Sequence, residues 1–330
     1  MRCSAVPPAD RRPLLVVLRA LGLGDFLTAV PALRALAAAC PDHHRVLAAP
    51  VAIRPLARLS ATVHDVVDTA PLSPLSPSLF GVDVAVNLHG RGPESHRLLL
   101  DASPRRLIAF VPSTWKADEH EVHRWCRLLQ EAGIPADPTD VDLPPPHVPP
   151  PAGTEGATVI HPGAASPARR WPPSRWAEVA RHLADQGRTV VVTGGPAEEE
   201  LAGGVARRAG LPGSAVLAGR TDLLGLAATV AAASTVLCGD TGVAHLATAL
   251  GTPSVVLFGP VPPAQWGPPP DRPQHVALWA GRWGDPHGAE PDPGLLEITV
   301  DDVLAALPLA ALPLAAVPQA RPRASTIRST

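Results

Sequence analysis

Three short stretches of this sequence bring together residues that can do chemistry. The first is GLGDF, residues 22–26, where two glycines precede a carboxylate, Asp25. It follows the apolar run PLLVVL (13–18) and precedes Leu27, Val30, Leu33, Leu36 and Cys40 at helical spacing. Asp25 therefore stands at a strand-to-helix mouth. There it is either a helix cap or a base that takes a proton from a substrate hydroxyl. Gly22 and Gly24 allow a tight backbone and close approach by a ligand. Leu27 occupies the place of the third glycine of a dinucleotide fingerprint, and no GK[ST] follows. Neither a nicotinamide site nor a nucleoside-triphosphate loop is expected.

The second stretch is CGDTGVAHLATALG, residues 238–251. A strand ending near Cys238 and a helix starting near Thr241 would aim the N–H groups of Thr241, Gly242 and Val243 outward, ready for a phosphate. Asp240 suits a neighbouring polyol better, because a carboxylate accepts hydrogen bonds from sugar hydroxyls. The plain alternative is that Asp240 and Thr241 cap the helix and that His245 packs one turn in. The third stretch, HPGAASPARRW (161–171), carries Arg169 and Arg170 at the end of a loop of small residues. Guanidinium forks match phosphate oxygens, although the pair also reads as a solvated surface. Trp171 and Trp176 are read as packing residues.

The elements that must position these groups alternate in type. Apolar runs at 13–18, 44–50, 63–70, 82–90 and 104–110 read as strands, and DEHEVHRWCRLLQEAG (118–133) as a helix closed by Gly133. Pro31 should kink the first helix. After a proline-rich stretch at 134–156 the rhythm restarts. ATVIHP, RTVVVTGG, SAVLAG, STVLCGD and PSVVLFGP are expected as strands, interleaved with helices. One of these helices starts on a Ser174 cap. The pattern predicts an α/β protein with two parallel-sheet domains, residues 1–142 and 157–330, joined by a linker at 143–156. Ligands of such folds bind outside the strand C-termini, here in the cleft between the domains.

Composition removes several classes. The chain has 330 residues, a hydrophobic fraction of 46%, an aromatic fraction of 3% and no tyrosine. A net charge of -2 gives no reason to expect nucleic acid. Lys116 is the sole lysine, which leaves Schiff-base chemistry little room. The scattered cysteines form neither a disulfide framework nor a CxxC metal site, and no HExxH, GxSxG or DxD metal site appears. The N-terminus lacks the apolar stretch of a signal peptide, and no apolar segment is long enough to span a bilayer. A cytoplasmic monomer is expected. The tail LPLAALPLAAVPQARPRASTIRST is read as an untidy terminus, with weak membrane-surface contact at most.

Taken in order, GLGDFLTAVPALRAL, HPGAASPARRWPPSRWAEVARHL and GDTGVAHLATALGTPSVVLFGP resemble glycosyltransferase family 9, the heptosyltransferase family, with coverage from about residue 14 to about residue 306. The resemblance implies a GT-B fold, in which two Rossmann-like domains face a cleft. It implies an inverting, metal-independent transfer from a nucleotide sugar, ADP-heptose first, with no further cofactor. Asp25 would be the general base and Asp240 the donor-sugar ligand, with Thr241 and Gly242 binding the diphosphate. Arg169 takes the place of the family's frequent lysine, and Arg170 and His245 fall on the donor side. Gly22, Gly24, Asn87, His89 and Arg91 fall toward the glycine loop and a glycan, lipid-linked or small-molecule acceptor. Two other readings remain open: a different nucleotide-sugar enzyme such as a non-hydrolysing epimerase, and a sugar-nucleotide binding protein without turnover. The first wants more acid/base groups than Asp25 supplies, and the second leaves Asp25 without a role.

Overall fold

The computed structural model describes residues 12–310. Near-continuous apolar runs become buried parallel strands, because helices cover both faces of each sheet. The first half comprises β1 (Leu14–Leu18), α1 (Leu23–Ala39), β2 (His44–Ala49), α2 (Arg54–Leu59), β3 (Asp65–Asp68), β4 (Val84–Asn87), α3 (Glu94–Asp101), β5 (Arg106–Ile108) and α4 (Glu121–Glu131). Its strands form a parallel sheet in the order β3-β2-β1-β4-β5.

The second half begins with β6 (Thr158–His161), α5 (Pro173–Asp185), β7 (Val190–Val192), α6 (Glu199–Ala209), α7 (Leu223–Ala231) and β8 (Thr235–Gly239). It continues through α8 (Gly242–Leu250), β9 (Ser254–Phe258), α9 (Pro263–Trp266), β10 (His275–Trp279), α10 (Pro293–Glu297) and α11 (Val300–Ala310). This sheet is also parallel, in the order β10-β9-β8-β6-β7. The order of strands reverses between β1 and β4 in one sheet and between β6 and β8 in the other. Such switch points open a crevice at the strand C-termini. The segments carrying Asp25 and Asp240 leave β1 and β8 at these two places.

One apolar cluster joins the halves. Phe26, Leu27, Val30 and Leu33 of α1 pack with Trp125, Leu128 and Leu129 of α4 on one side. Val243, Leu246 and Ala247 of α8 belong to the same cluster. The proline-rich stretch at 134–156 is strapped to both halves: Arg34 of α1 pairs with Asp140, Arg272 pairs with Asp142, and the Leu143 N–H donates to the Ala249 carbonyl at 2.7 Å.

Four expectations need correction. Helix α1 runs unbroken through Pro31, because buried Val30, Ala32 and Leu33 hold the turn that lacks one hydrogen bond. Pro172, not Ser174, sits at the cap of α5, where a proline-led first turn needs no side-chain acceptor. SAVLAG is a short 3₁₀ turn with a single bridge from Val216 to Val192, not a strand. Residues 307–310 of the tail continue α11; the rest of it, like Cys3 and the N-terminal residues through Arg11, lies outside the described residues.

Candidate functional site

Asp25 is the third residue of α1, whose cap is Gly22 in an extended conformation. A glycine has no side chain to cap with, so Asp25 closes the turn from the other side: its Oδ2 accepts the Gly22 N–H at 3.2 Å. Its Oδ1 accepts from Arg19 Nη2 at 3.1 Å, and Arg19 Nε donates to the Asp25 carbonyl at 2.9 Å. Both oxygens are thus oriented, while the side chain stays 27% exposed to the cleft. Arg19 itself is almost wholly buried and also donates to Glu121 Oε1 at 2.8 Å.

Across the cleft, α8 begins at Gly242 with Thr241 as an extended cap whose hydroxyl makes no capping bond. That hydroxyl and the first N–H groups of the helix are free to meet an anion. Asp240, just before them, is buried. Burial pushes its carboxyl up to about 6; the Arg169 guanidinium opposes that rise and the negative charge of Asp25 adds to it. Arg169 Nη1 lies 3.7 Å from Asp240 Oδ2 and 3.4 Å from its carbonyl, while Arg169 Nε is buried with no partner.

These groups line one cavity of about 1030 Å³. Gly22, Gly24 and Asp25 come from the first half, and Arg169, Asp240, Thr241, Gly242 and His245 from the second. Burial lowers the His245 imidazole to about 4, so it is neutral at pH 7. Its ring stands 5.9 Å from that of Trp266, edge to face. At the far end, Glu198 Oε2 accepts the Gly195 N–H at 2.8 Å, and its carboxylate occupies the space a side chain on Gly163 would need. His161, at the end of β6, bonds Thr193 Oγ1 at 3.0 Å, and burial lowers its pKa. A second cavity of about 770 Å³ shares His245 but touches neither Asp25 nor Asp240.

Other expected site residues lie elsewhere. Arg170 does not line the cleft; its Nε donates to the Ala164 carbonyl at 2.8 Å and braces the loop. Asn87 is fully buried and holds the turn after β4, donating to Ser95 Oγ at 2.9 Å and accepting the His89 N–H. His89 is half-buried close to Arg19 and Asp25, with its pKa lowered by burial and by Arg19; Arg91 is exposed. The glycine loop lines the cavity, and at Gly24 it also meets helix α8, where a Cβ would run into the His245 ring.

Arg19 and Glu121 escaped the sequence reading. The one available signal was a charge directly after a fully apolar strand. Among the described residues, no group of three metal-ligating side chains converges and no helix is long and apolar enough to cross a membrane.

Comparison with known proteins gives heptosyltransferases by sequence and by fold. Over 100 residues the chain is 38% identical to lipopolysaccharide heptosyltransferase 1 of Pseudomonas aeruginosa, covering 30% of this chain and 27% of that protein. The fold matches that of the Escherichia coli ADP-heptose lipopolysaccharide heptosyltransferase II with a TM-score of 0.71 and 23% identity, covering 90% of this chain and 98% of the other. It also matches the E. coli heptosyltransferase WaaC with ADP at a TM-score of 0.67 and 20% identity, covering 89% and 98%. Residues 101–292 match the profile of glycosyltransferase family 9 (heptosyltransferase), which is more than half of the chain. With its two facing Rossmann-like sheets, the chain belongs to that family.

Proposed function

We propose that this chain transfers a sugar from a nucleotide diphosphate to an acceptor hydroxyl, with inversion at the anomeric carbon and without a metal ion. One observation carries the reading: an oriented carboxylate, Asp25, faces a helix start flanked by Arg169 and Asp240 across a single cavity. The acceptor hydroxyl gives its proton to Asp25 as its oxygen attacks the anomeric carbon, and the bond from that carbon to the diphosphate breaks on the opposite face. Negative charge grows on the departing diphosphate. The N–H groups opening α8, the Thr241 hydroxyl and the Arg169 guanidinium receive it without reorganising. Asp240, whose charge is offset by the Arg169 guanidinium beside it, accepts hydrogen bonds from sugar hydroxyls.

ADP-heptose is the first-choice donor. Family membership supports a heptosyl transfer, and the ADP in the E. coli neighbour of the same fold supports an adenine nucleotide. The acceptor is a glycan, lipid-linked or small-molecule hydroxyl.

The test is Asp25→Asn, assayed as ADP release from ADP-heptose with lipopolysaccharide core saccharide, in buffer containing EDTA. Turnover should fall by roughly 10²–10⁴-fold, while ADP affinity by calorimetry stays within about twofold, since Asp25 acts on the acceptor hydroxyl and not on the diphosphate. Undiminished turnover in the variant removes Asp25 from the mechanism.

A further inference from the structure

Asp25 is the exposed end of a row of four charged side chains. Behind it come Arg19, Glu121 and Arg124, alternating in sign and running inward from the cleft. Glu121 is buried as the first residue of α4, so its carboxylate meets the positive end of that helix. Its Oε1 accepts from Arg19 Nη2 at 2.8 Å and from Trp125 Nε1 at 2.9 Å, and its Oε2 accepts from Arg124. The Arg19 guanidinium lies 4.8 Å over the Trp125 ring and also donates to the Leu88 carbonyl after β4. One cation therefore ties together β1, β4, α1 and α4.

A buried guanidinium must be balanced by negative charge close by. Two carboxylates are in reach of Arg19: Glu121 at 2.8 Å and Asp25 at 3.1 Å. Glu121 is enclosed and faces no ligand. We infer that Glu121 is a positioning residue, which holds Arg19 in place and balances its charge so that Asp25 is oriented without serving as its sole counter-ion. This rests on the general-base reading of Asp25.

The inference fixes a direction. Without the Glu121 charge, the whole cation turns on Asp25 and draws the carboxylate from the cleft. The other charged or titratable groups near this row are His89 after β4, His245 of α8 against Gly24, and Asp240, with its partner Arg169, across the cleft.

The experiment is Glu121→Gln in the full chain, with Glu121→Asp beside it. ADP release from ADP-heptose with lipopolysaccharide core saccharide should fall on the order of 10–100-fold in kcat in Glu121→Gln, with the KM for ADP-heptose within about twofold. Glu121→Asp, which keeps the charge at greater reach, should fall between the wild type and Glu121→Gln in kcat. An unchanged kcat in Glu121→Gln overturns the inference, and so does a loss in Glu121→Asp as large as in Glu121→Gln. If Glu121→Gln does not fold, Glu121→Asp decides alone, and an unchanged kcat counts against the proposal. Retained turnover in Asp25→Asn would instead overturn the general-base reading.

Discussion

Gly242 and Gly24 touch where the two halves of the molecule cross. A Cβ built on Gly242 would lie 3.0 Å from the Gly24 nitrogen and 2.8 Å from the Leu23 Cβ. Helices α1 and α8 therefore meet end to end through bare backbone, and the first turn carrying Asp25 is registered against the turn carrying Thr241. The separation of the Asp25 carboxylate and the start of α8 is set at this contact.

That contact orders two substitutions. Gly242→Ala drives a methyl into neighbouring backbone, so the helices must part; overpacking of this kind costs about 1–3 kcal/mol. Gly24→Ala meets the edge of the His245 ring at 2.8 Å, a side chain that can turn aside, and gains helix propensity of up to about 1 kcal/mol. Thermal unfolding should show a clear drop in Tm for Gly242→Ala and a smaller one for Gly24→Ala. The reverse order would mean that the helix crossing does not carry the strain.

Asp240 carries a pH signature. Its carboxyl is raised by burial to about 6 in the folded chain, above its ordinary value of 3.8. The folded state therefore holds this proton more tightly than the unfolded state. The stability so gained is complete below pH 4 and is lost as pH rises through about 6. Asp240→Asn has no proton to lose. Its Tm should gain on the wild type between pH 4 and pH 7.5, by an amount corresponding to at most about 2–3 kcal/mol. The Arg169 charge, 3.7 Å away, reduces that figure. A Tm difference independent of pH would show that the carboxylate is solvated or fully compensated by Arg169.

The parts of this architecture that could be read from sequence are those encoded within a few residues. LLVVL and STVLCG declare buried parallel strands by being apolar throughout, and the polar residues that follow them mark the mouths of the sheets. Asp25 and the Thr241–Gly242 start of α8 were legible for that reason. The grip on Asp25 was not, because Arg19 and Glu121 stand 102 residues apart and meet only when α4 packs on α1. Asn87 shows the opposite failure. A polar residue at a strand end looks functional in a sequence, yet its burial is fully explained by the turn it holds. One neighbour of Gly24 was hidden too: besides lining the cavity, it lies against a helix from the other half of the chain.

Arg169 provides the sharpest division between what the cleft does for any nucleotide and what it does for one. Its buried Nε has no partner, and its Nη1 leans on Asp240, so a diphosphate arriving at the start of α8 would find an unused donor beside it. In the proposed reading, base recognition comes from farther along the cavity, which Gly194, Gly195, Thr221 and Asp222 line. The two contributions should therefore separate. Arg169→Ala should weaken ADP, UDP and GDP alike, by about 10-fold or more for the loss of a charged hydrogen bond. ADP should remain the tightest of the three in both proteins. Competition binding of the three diphosphates to wild type and variant measures both terms at once. If UDP or GDP binds best, the ADP-heptose donor is wrong while the Asp25 chemistry stands. If the order of the three changes in the variant, Arg169 is reading the nucleoside and not the diphosphate.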